Sequence, residues 1–246
     1  MILKIPWTIK GATDLLKNVY ARSSNPFYIT IDVGPQCCKK DYIMPDYEKI
    51  NKLLSDYNKG IRVEKLWLGP ESAYKTFYEV AHELISRKNE GIKKIIDEMN
   101  KYPYMFANNE DGDPYNWLKK LGCWSPIIHL QQTDGTASAH RPFTDEYNKT
   151  GIIDGRKVLE AIAESYEHTN QKLFSKKCKE IYLTVEVFSG TGAMPTDIIK
   201  DLGDTVNYWR EFVPKDGLEL DKLLDIDEED NFQDKTKVLR GHSFSY

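Results

Sequence analysis

Three ionisable side chains interrupt apolar, strand-like runs of the sequence. Asp32 follows the run FYITI, His129 follows PII, and Glu186 follows YLTV. An ionised group in apolar surroundings is costly to bury unless it is paired or coordinated. Two carboxylates and an imidazole form a mixed oxygen and nitrogen ligand set that suits Mn²⁺, Mg²⁺ or Co²⁺, with Zn²⁺ as a further choice. The three residues therefore predict a site for one divalent metal ion.

Each of these residues also has a simpler explanation when it is taken alone. An aspartate at the end of a strand often caps a helix or forms a turn. A histidine near a strand is often a hydrogen-bonded core residue. The metal hypothesis gains its weight from three such groups at equivalent strand ends, and both interpretations stay open at this point.

The elements that must position these residues alternate along the chain. Short β-branched or aromatic runs predict strands, and amphipathic stretches between them predict helices. This alternation is typical of parallel strands joined by crossover helices, so an α/β fold is expected, either doubly wound or a barrel. The predicted strands are Phe27–Val33, Tyr102–Ala107, Pro126–Gln131 and Ile181–Phe188, and the predicted helices are Ile9–Val19, Asp46–Tyr57, Pro70–Ser86, Asp113–Leu121, Gly155–His168 and Thr196–Phe212.

Composition limits the classes of partner. The 246 residues include 34 Lys and Arg against 38 Asp and Glu, a net charge of −4, which argues against nucleic acid as the main partner. No apolar run reaches the roughly 18 residues that a membrane span needs. The N-terminus does not read as a signal peptide, and the four cysteines include no CxxC pair. We therefore expect a cytoplasmic protein with reduced thiols that binds neither nucleic acid nor a membrane.

Two further motifs are typical of anion binding. Ser189 and Gly190 begin a Ser-Gly-Thr-Gly turn between a predicted strand and a predicted helix, where backbone N–H groups can face a phosphate or hydroxyl. The turn lacks the spacing of a P-loop or a dinucleotide fingerprint, so a plain connecting turn is equally consistent. The pair His140 and Arg141 could bind an anionic substrate or lie on the surface.

Several short motifs together resemble one family. The stretch PIIHLQQTDG at 126–135, with HRPFT at 140–144, resembles the sugar-phosphate isomerase/epimerase family with a xylose-isomerase-like TIM barrel. The similar branch includes tetrulose (erythrulose) phosphate epimerases. The motifs ITIDVG, EDGDPYNWL and LTVEVFSGT follow in the family's order, and the resemblance covers roughly residues 3–224. It implies an α/β, TIM-barrel-like parallel sheet and a small sugar or sugar-phosphate substrate.

The resemblance also implies roles for residues. Family members bind one divalent ion through Glu, Asp, His and Glu, and the last three correspond to Asp32, His129 and Glu186. Glu186 is then both a metal ligand and a catalytic acid/base group that moves a proton next to the substrate carbonyl. The residues expected to contact substrate are Lys4, Gln131, His140, Arg141, Ser189 and Gly190.

The chain departs from the family pattern at the site. The first ligand is expected on a strand before Met1, Lys4 stands where a second family Glu is common, and Pro35 stands where a His is common. We therefore expect an incomplete barrel over 1–225 that contains the C-terminal strands, with a helical insertion at about 40–100. The acidic, polar stretch 226–246 is expected to be a tail, and a homo-oligomer would cover an exposed sheet edge.

The sequence thus predicts a metal-dependent isomerase or epimerase that acts on a small ketose through an enediolate. A missing first ligand would impair it. The alternative is a non-catalytic sugar- or protein-binding module on a degenerate barrel, which Lys4 and Pro35 favour. A phosphodiesterase of the endonuclease IV type would need more metal ligands than the five histidines readily supply, and the acidic charge balance disfavours it.

Overall fold

The computed structural model describes residues 6–61, 66–82, 88–167 and 174–225. Lys4 and the stretch 226–246 lie outside these residues. The chain divides into two compact units. The sheet unit comprises Met1–Gln36 and Pro114–Tyr246, and the helical unit comprises Cys37–Asp113. Within the described ranges, none of the helices combines the length and the apolar character that crossing a membrane requires.

The sheet unit contains a parallel sheet of three strands among the described residues. They are β1 (Thr30–Asp32), β2 (Ile127–Leu130) and β3 (Tyr182–Val185), in the order β1-β2-β3. Parallel neighbours need long crossover connections, and helices lie between these strands in the chain. The α/β class is therefore confirmed. The sheet is compatible with part of a TIM-barrel-like fold, but it does not form a closed barrel in the described part of the chain.

Each of the six predicted helices begins within one residue of a described α-helix, whereas the sequence does not predict the helices Val33–Cys37, Lys88–Asn100 and Asp145–Asn148. Thr8, Asp46 and Asp154 each precede a helix, and their side-chain oxygens accept hydrogen bonds from N–H groups of the first turn. Such caps satisfy donors that have no partner within the helix. The described α-helices are α1 (Ile9–Ser23), α2 (Val33–Cys37), α3 (Tyr47–Asn58), α4 (Glu71–His82), α5 (Lys88–Asn100), α6 (Pro114–Leu121), α7 (Asp145–Asn148), α8 (Gly155–Tyr166) and α9 (Pro195–Phe212).

The predicted strand Tyr102–Ala107 is wrong. The structure has a short 3₁₀ helix there, Pro103–Met105, and Ala107 forms only an isolated bridge to Ile43. Pro103 has no backbone N–H to donate to a neighbouring strand, and its fixed φ suits the start of a helical turn. The aromatic run predicts a strand because aromatic residues are frequent in strands. That frequency reflects the packing of apolar side chains as much as a preference of the backbone.

The two faces of the sheet differ in burial. Ile31, Ile128 and Leu130 are buried in the core of the sheet unit, which α1, α6 and α8 also line. On the alternate positions, Ile127 is 40% exposed and Tyr182 is 63% exposed. Successive strand residues point to opposite faces, so Asp32, His129 and Glu186 share the face that the described helices do not bury. The predicted strands are apolar nearly throughout, which is typical of a sheet covered on both faces, but among the described residues one face stays partly exposed.

The helical unit has a core of its own. Helices α3, α4 and α5 contribute buried residues that include Ile50, Phe77 and Ile95. Gly69 has a positive φ of +75°, and a side chain there would meet the ring of Phe106. The glycine thus permits both a left-handed turn and close packing of an aromatic ring.

Candidate metal centre

Strand register brings the three predicted metal ligands together. Asp32 is paired with His129 across β1 and β2. Leu130 is paired with Val185, and the backbone N–H of Glu186 donates to the carbonyl of Leu130 over 2.8 Å. The carboxyl ends of the three strands therefore place these side chains side by side. One ligand atom from each of Asp32, His129 and Glu186 lies within 4.8 Å of the other two.

The arrangement within the triad favours a cation. Nδ1 of His129 lies 3.1 Å from Oε2 of Glu186. Yet this buried carboxylate oxygen has no hydrogen-bond partner among the described residues, because the two atoms are close without hydrogen-bond geometry. An acceptor without a donor is costly to bury. A metal ion between the three side chains would satisfy it, so the residues present fit a divalent ion.

The carboxyl of Asp32 has a raised pKa. Burial raises the pKa of its carboxyl above the ordinary value, and the nearby charge of Glu186 adds to the rise. Hydrogen bonds from Gly34 and Gln131 and the proximity of His140 act in the opposite direction. A bound cation favours the ionised carboxylate, so a cation that binds at the triad would promote proton release from Asp32.

Gln131 contacts the triad through Asp32 and is fully buried. Its Nε2 donates to Oδ1 of Asp32 over 2.9 Å, and its Oε1 accepts from the backbone N–H of His140 over 2.8 Å. The side chain is therefore in contact with protein groups at both amide atoms. Its predicted contact with substrate stays a prediction.

His140 and Arg141 occupy different environments. Nδ1 of His140 lies 3.8 Å from Oε1 of Glu186, so the ring adjoins the triad. The guanidinium of Arg141 instead donates to Asp134 over 2.9 Å and lies over the ring of Tyr147. The structure thus brings His140 to the site and pairs Arg141 with an acidic side chain. Their roles in substrate binding are untested.

The Ser-Gly turn lies just beyond β3. The Oγ of Ser189 lies 3.4 Å from a carboxylate oxygen of Asp201, and Gly190 has φ +89° with open space where a side chain would stand. The positive φ explains the glycine. The roles of Ser189 and Gly190 in substrate binding stay predictions, as does that of Lys4.

Gly34 supports the site, although the sequence alone does not indicate this role. A side-chain carbon at Gly34 would stand 2.2 Å from Cδ of Gln131, so only glycine leaves room for the buried amide. The N–H of Gly34 also donates to Oδ1 of Asp32 over 3.1 Å. In the sequence, Gly34 is visible only as a glycine two residues after a strand-end aspartate. Its role depends on the side chain that packs against it, which the sequence does not reveal.

Comparison with known proteins gives a partial match. A stretch of 105 residues is 31% identical to the D-erythrulose 1-phosphate 3-epimerase of Brucella abortus (strain 2308). The chain is similar in part to a sugar-phosphate epimerase. The aligned stretch is 42% of this chain and spans only 30% of the length of that relative. No protein-family model matches the sequence. The similarity is therefore local to one part of this chain and one part of that relative.

Proposed function

We propose that this chain is a divalent-metal-dependent isomerase or epimerase of a small ketose phosphate. The observation that carries the proposal is the convergence of Asp32, His129 and Glu186 at the carboxyl ends of three parallel strands. Chemistry in parallel α/β folds sits at this end of the strands. The partial similarity to a D-erythrulose 1-phosphate 3-epimerase supports the substrate class.

Asp32, His129 and Glu186 would hold the ion. Their oxygen and nitrogen donors suit Mn²⁺, Mg²⁺ or Co²⁺ in preference to a soft metal, with Zn²⁺ as a further choice. When bound, such an ion supplies positive charge that polarises the substrate carbonyl and stabilises an enediolate. The partly exposed positions of His129 and Glu186, 34% and 44% exposed, leave the centre open to a small substrate.

Glu186 would move the proton. Its Oε2 is directed at His129, whereas Oε1 lies on the side of His140. We assign Oε1 as the base that takes the proton from the carbon next to the carbonyl, and the electron pair of the broken C–H bond enters the enediolate. Return of the proton to the neighbouring carbon gives isomerisation. Return to the opposite face of the same carbon gives epimerisation and requires a second acid.

The same proposal assigns the chain's organisation. The sheet unit would be part of a xylose-isomerase-like TIM barrel over 1–225, and the helical stretch at about 40–100 would be an insertion into it. The stretch 226–246 would be an acidic, polar tail. A small sugar phosphate is the proposed ligand.

The test is deuterium exchange at carbon. D-Erythrulose 1-phosphate is incubated with the full chain and diamagnetic Mg²⁺ in D₂O, and the proton on carbon 3 is followed by ¹H NMR. We expect that signal to disappear with time, and to persist with EDTA or with the Glu186→Gln variant. Binding of the sugar phosphate without exchange would overturn the enzymatic proposal in favour of a non-catalytic binding module.

A further inference from the structure

Two consecutive glutamines follow β2, and both are buried. Gln131 is fully buried and Gln132 is 1% exposed. Each packs its amide against a glycine so closely that a side-chain carbon at Gly34 or Gly151 would stand 2.2 Å from the amide carbon. The two residues therefore share type, burial and packing. They differ in the groups that their amides bind.

The side-chain amide of Gln131 forms hydrogen bonds with groups at or beside the proposed metal site. Its Nε2 donates to Oδ1 of Asp32, and its Oε1 accepts from the N–H of His140 and, over 3.3 Å, from the hydroxyl of Ser138. Oδ1 of Asp32 also accepts from the N–H of Gly34. Oδ1 of Asp32 therefore accepts hydrogen bonds from both Gln131 and Gly34, and these two donors fix the orientation of the carboxylate.

The side-chain amide of Gln132 instead forms hydrogen bonds with the segment that connects β2 to β3. Its Nε2 donates to Oδ1 of Asn148 and to the carbonyl of Ile153, both over 2.9 Å. Its Oε1 accepts from the N–H groups of Ile153 and Thr133. None of these partners belongs to the triad, so Gln132 is a natural control for Gln131.

The backbone at His140 adds a second observation. His140 has φ +48°, a left-handed conformation that a residue with a side chain rarely adopts. Two hydrogen bonds hold it: its N–H donates to Gln131, and its carbonyl accepts from the N–H of Phe188 over 2.9 Å. Unfavourable backbone conformations persist where the surroundings over-determine them.

We propose that Gln131 is a positioning residue that fixes the carboxylate of Asp32 for metal binding and holds His140 beside Glu186. It acts through Asp32 and His140 and does not touch the substrate. The inference rests on the proposed metal site, and it assigns to Gln131 a role other than the substrate contact that the sequence suggests. Hydrogen bonds from outside the coordination sphere commonly determine how well a ligand binds its metal.

The main experiment compares two matched variants of the full chain. Gln131→Met and Gln132→Met each replace a buried amide by an apolar chain of similar length. We expect both to lower the melting temperature. In Mn²⁺ titrations by calorimetry, we expect Gln131→Met to weaken binding about 10- to 100-fold, and Gln132→Met to leave the affinity of the folded protein within about 3-fold. Equal effects of the two variants on Mn²⁺ affinity would overturn the proposal.

A double-mutant cycle gives a sharper readout. Gly34→Ala would push the amide of Gln131 away from Asp32, so we expect it alone to weaken Mn²⁺ binding. In the Gln131→Ala background the amide is gone, and the added methyl group has nothing to displace. We therefore expect no further loss of affinity in the double variant. Additive losses would contradict the proposal.

A metal-free readout separates this inference from the proposed function. Hydrogen exchange of the His140 amide is measured without metal, and we expect it to be faster in Gln131→Met than in Gln132→Met. Failure of the native chain to bind Mn²⁺ would overturn the metal site itself and with it the metal-binding role of Gln131. Unchanged exchange at His140 in Gln131→Met, beside a native chain that does bind Mn²⁺, would overturn the positioning of His140 alone.

Discussion

The helical unit and the sheet unit use ionisable residues differently. The core of the helical unit packs apolar side chains such as Ile50, Phe77 and Ile95 against one another. In the sheet unit, polar side chains stand beyond the apolar core at the carboxyl ends of the strands. The strand register there places Asp32 beside His129. Among the described residues, the helical unit holds no group of three side chains placed to bind a metal.

This difference has a physical cause. Helices α3, α4 and α5 bury apolar stripes and leave charged side chains in solvent. Parallel strands in register instead bring their carboxyl ends to one edge, so side chains from distant parts of the chain converge there. We therefore expect changes in the helical unit to affect stability, and changes at the strand ends to affect metal binding and catalysis.

The largest expected effect is on catalysis. Glu186→Gln removes the proposed base while keeping the size of the side chain. We expect the rate of deuterium exchange at carbon 3 of D-erythrulose 1-phosphate to fall by about 10²- to 10⁴-fold, the usual contribution of a positioned acid/base group. The rate is measured by ¹H NMR in D₂O. A rate within about 3-fold of the native chain would remove Glu186 from the proposed mechanism.

The next effect is on stability and lies in the other unit. Phe77 is fully buried in the helical unit, so Phe77→Ala leaves a cavity and should cost about 3–5 kcal/mol of the free energy of unfolding. Urea denaturation measures the loss. The matched observation is the Mn²⁺ affinity of the folded variant, which should equal that of the native chain. A large loss of Mn²⁺ affinity would contradict the separation of roles.

A smaller effect concerns charge at the site. Because burial and the charge of Glu186 raise the pKa of Asp32, the metal-free protein loses stability as the pH rises through that raised pKa. Asp32→Asn keeps the oxygen that accepts from Gly34 and Gln131 but carries no charge. We expect this variant, in EDTA at neutral pH, to melt a few degrees above the native chain, and the difference to vanish below the ordinary pKa of an aspartate.

Mn²⁺ should reverse that order. A bound ion would stabilise the native chain, whereas Asp32→Asn would lack one of the proposed charged ligands. Melting temperatures in EDTA and in Mn²⁺ at acid and neutral pH measure both halves of the prediction. If Asp32→Asn melted below the native chain in EDTA at neutral pH, the carboxylate would be stabilising and its raised pKa would be wrong.

The smallest effect contrasts two thiols. Cys123 is buried in the sheet unit, and burial raises its pKa to about 11. Cys38, in the helical unit, is partly exposed. Because the thiolate is the reactive form, we expect iodoacetamide at about pH 8 to modify Cys38 well before Cys123. Mass spectrometry of digested peptides measures the order, and early labelling of Cys123 would show that the core of the sheet unit opens readily.

The sequence alone predicts the site residues that stand at the ends of strands. Asp32, His129 and Glu186 stood out because each interrupts an apolar run, and parallel register then places them together. Helix starts were predictable from caps such as Asp154, since the capping hydrogen bond is local. Whether the three side chains bind a metal stays a prediction.

Other features depend on contacts between distant residues. Gln131 and Gln132 are identical in type and adjacent, and only the fold determines which of them meets Asp32. The run Tyr102–Ala107 predicts a strand because of its aromatic content, whereas Pro103 favours the helical turn that the structure has there. The partial exposure of one sheet face among the described residues is also not predictable, since strand composition alone does not report which neighbours are present.

The central claim is that Asp32, His129 and Glu186 hold one divalent ion. Electron spin-echo spectroscopy of Mn²⁺ added to the full chain tests it most directly, because it detects a coordinated imidazole nitrogen. We predict a nitrogen coupling in the native chain that is lost in His129→Ala and retained in Phe77→Ala. A native chain without nitrogen coupling, or a coupling that persists in His129→Ala, would contradict the claim.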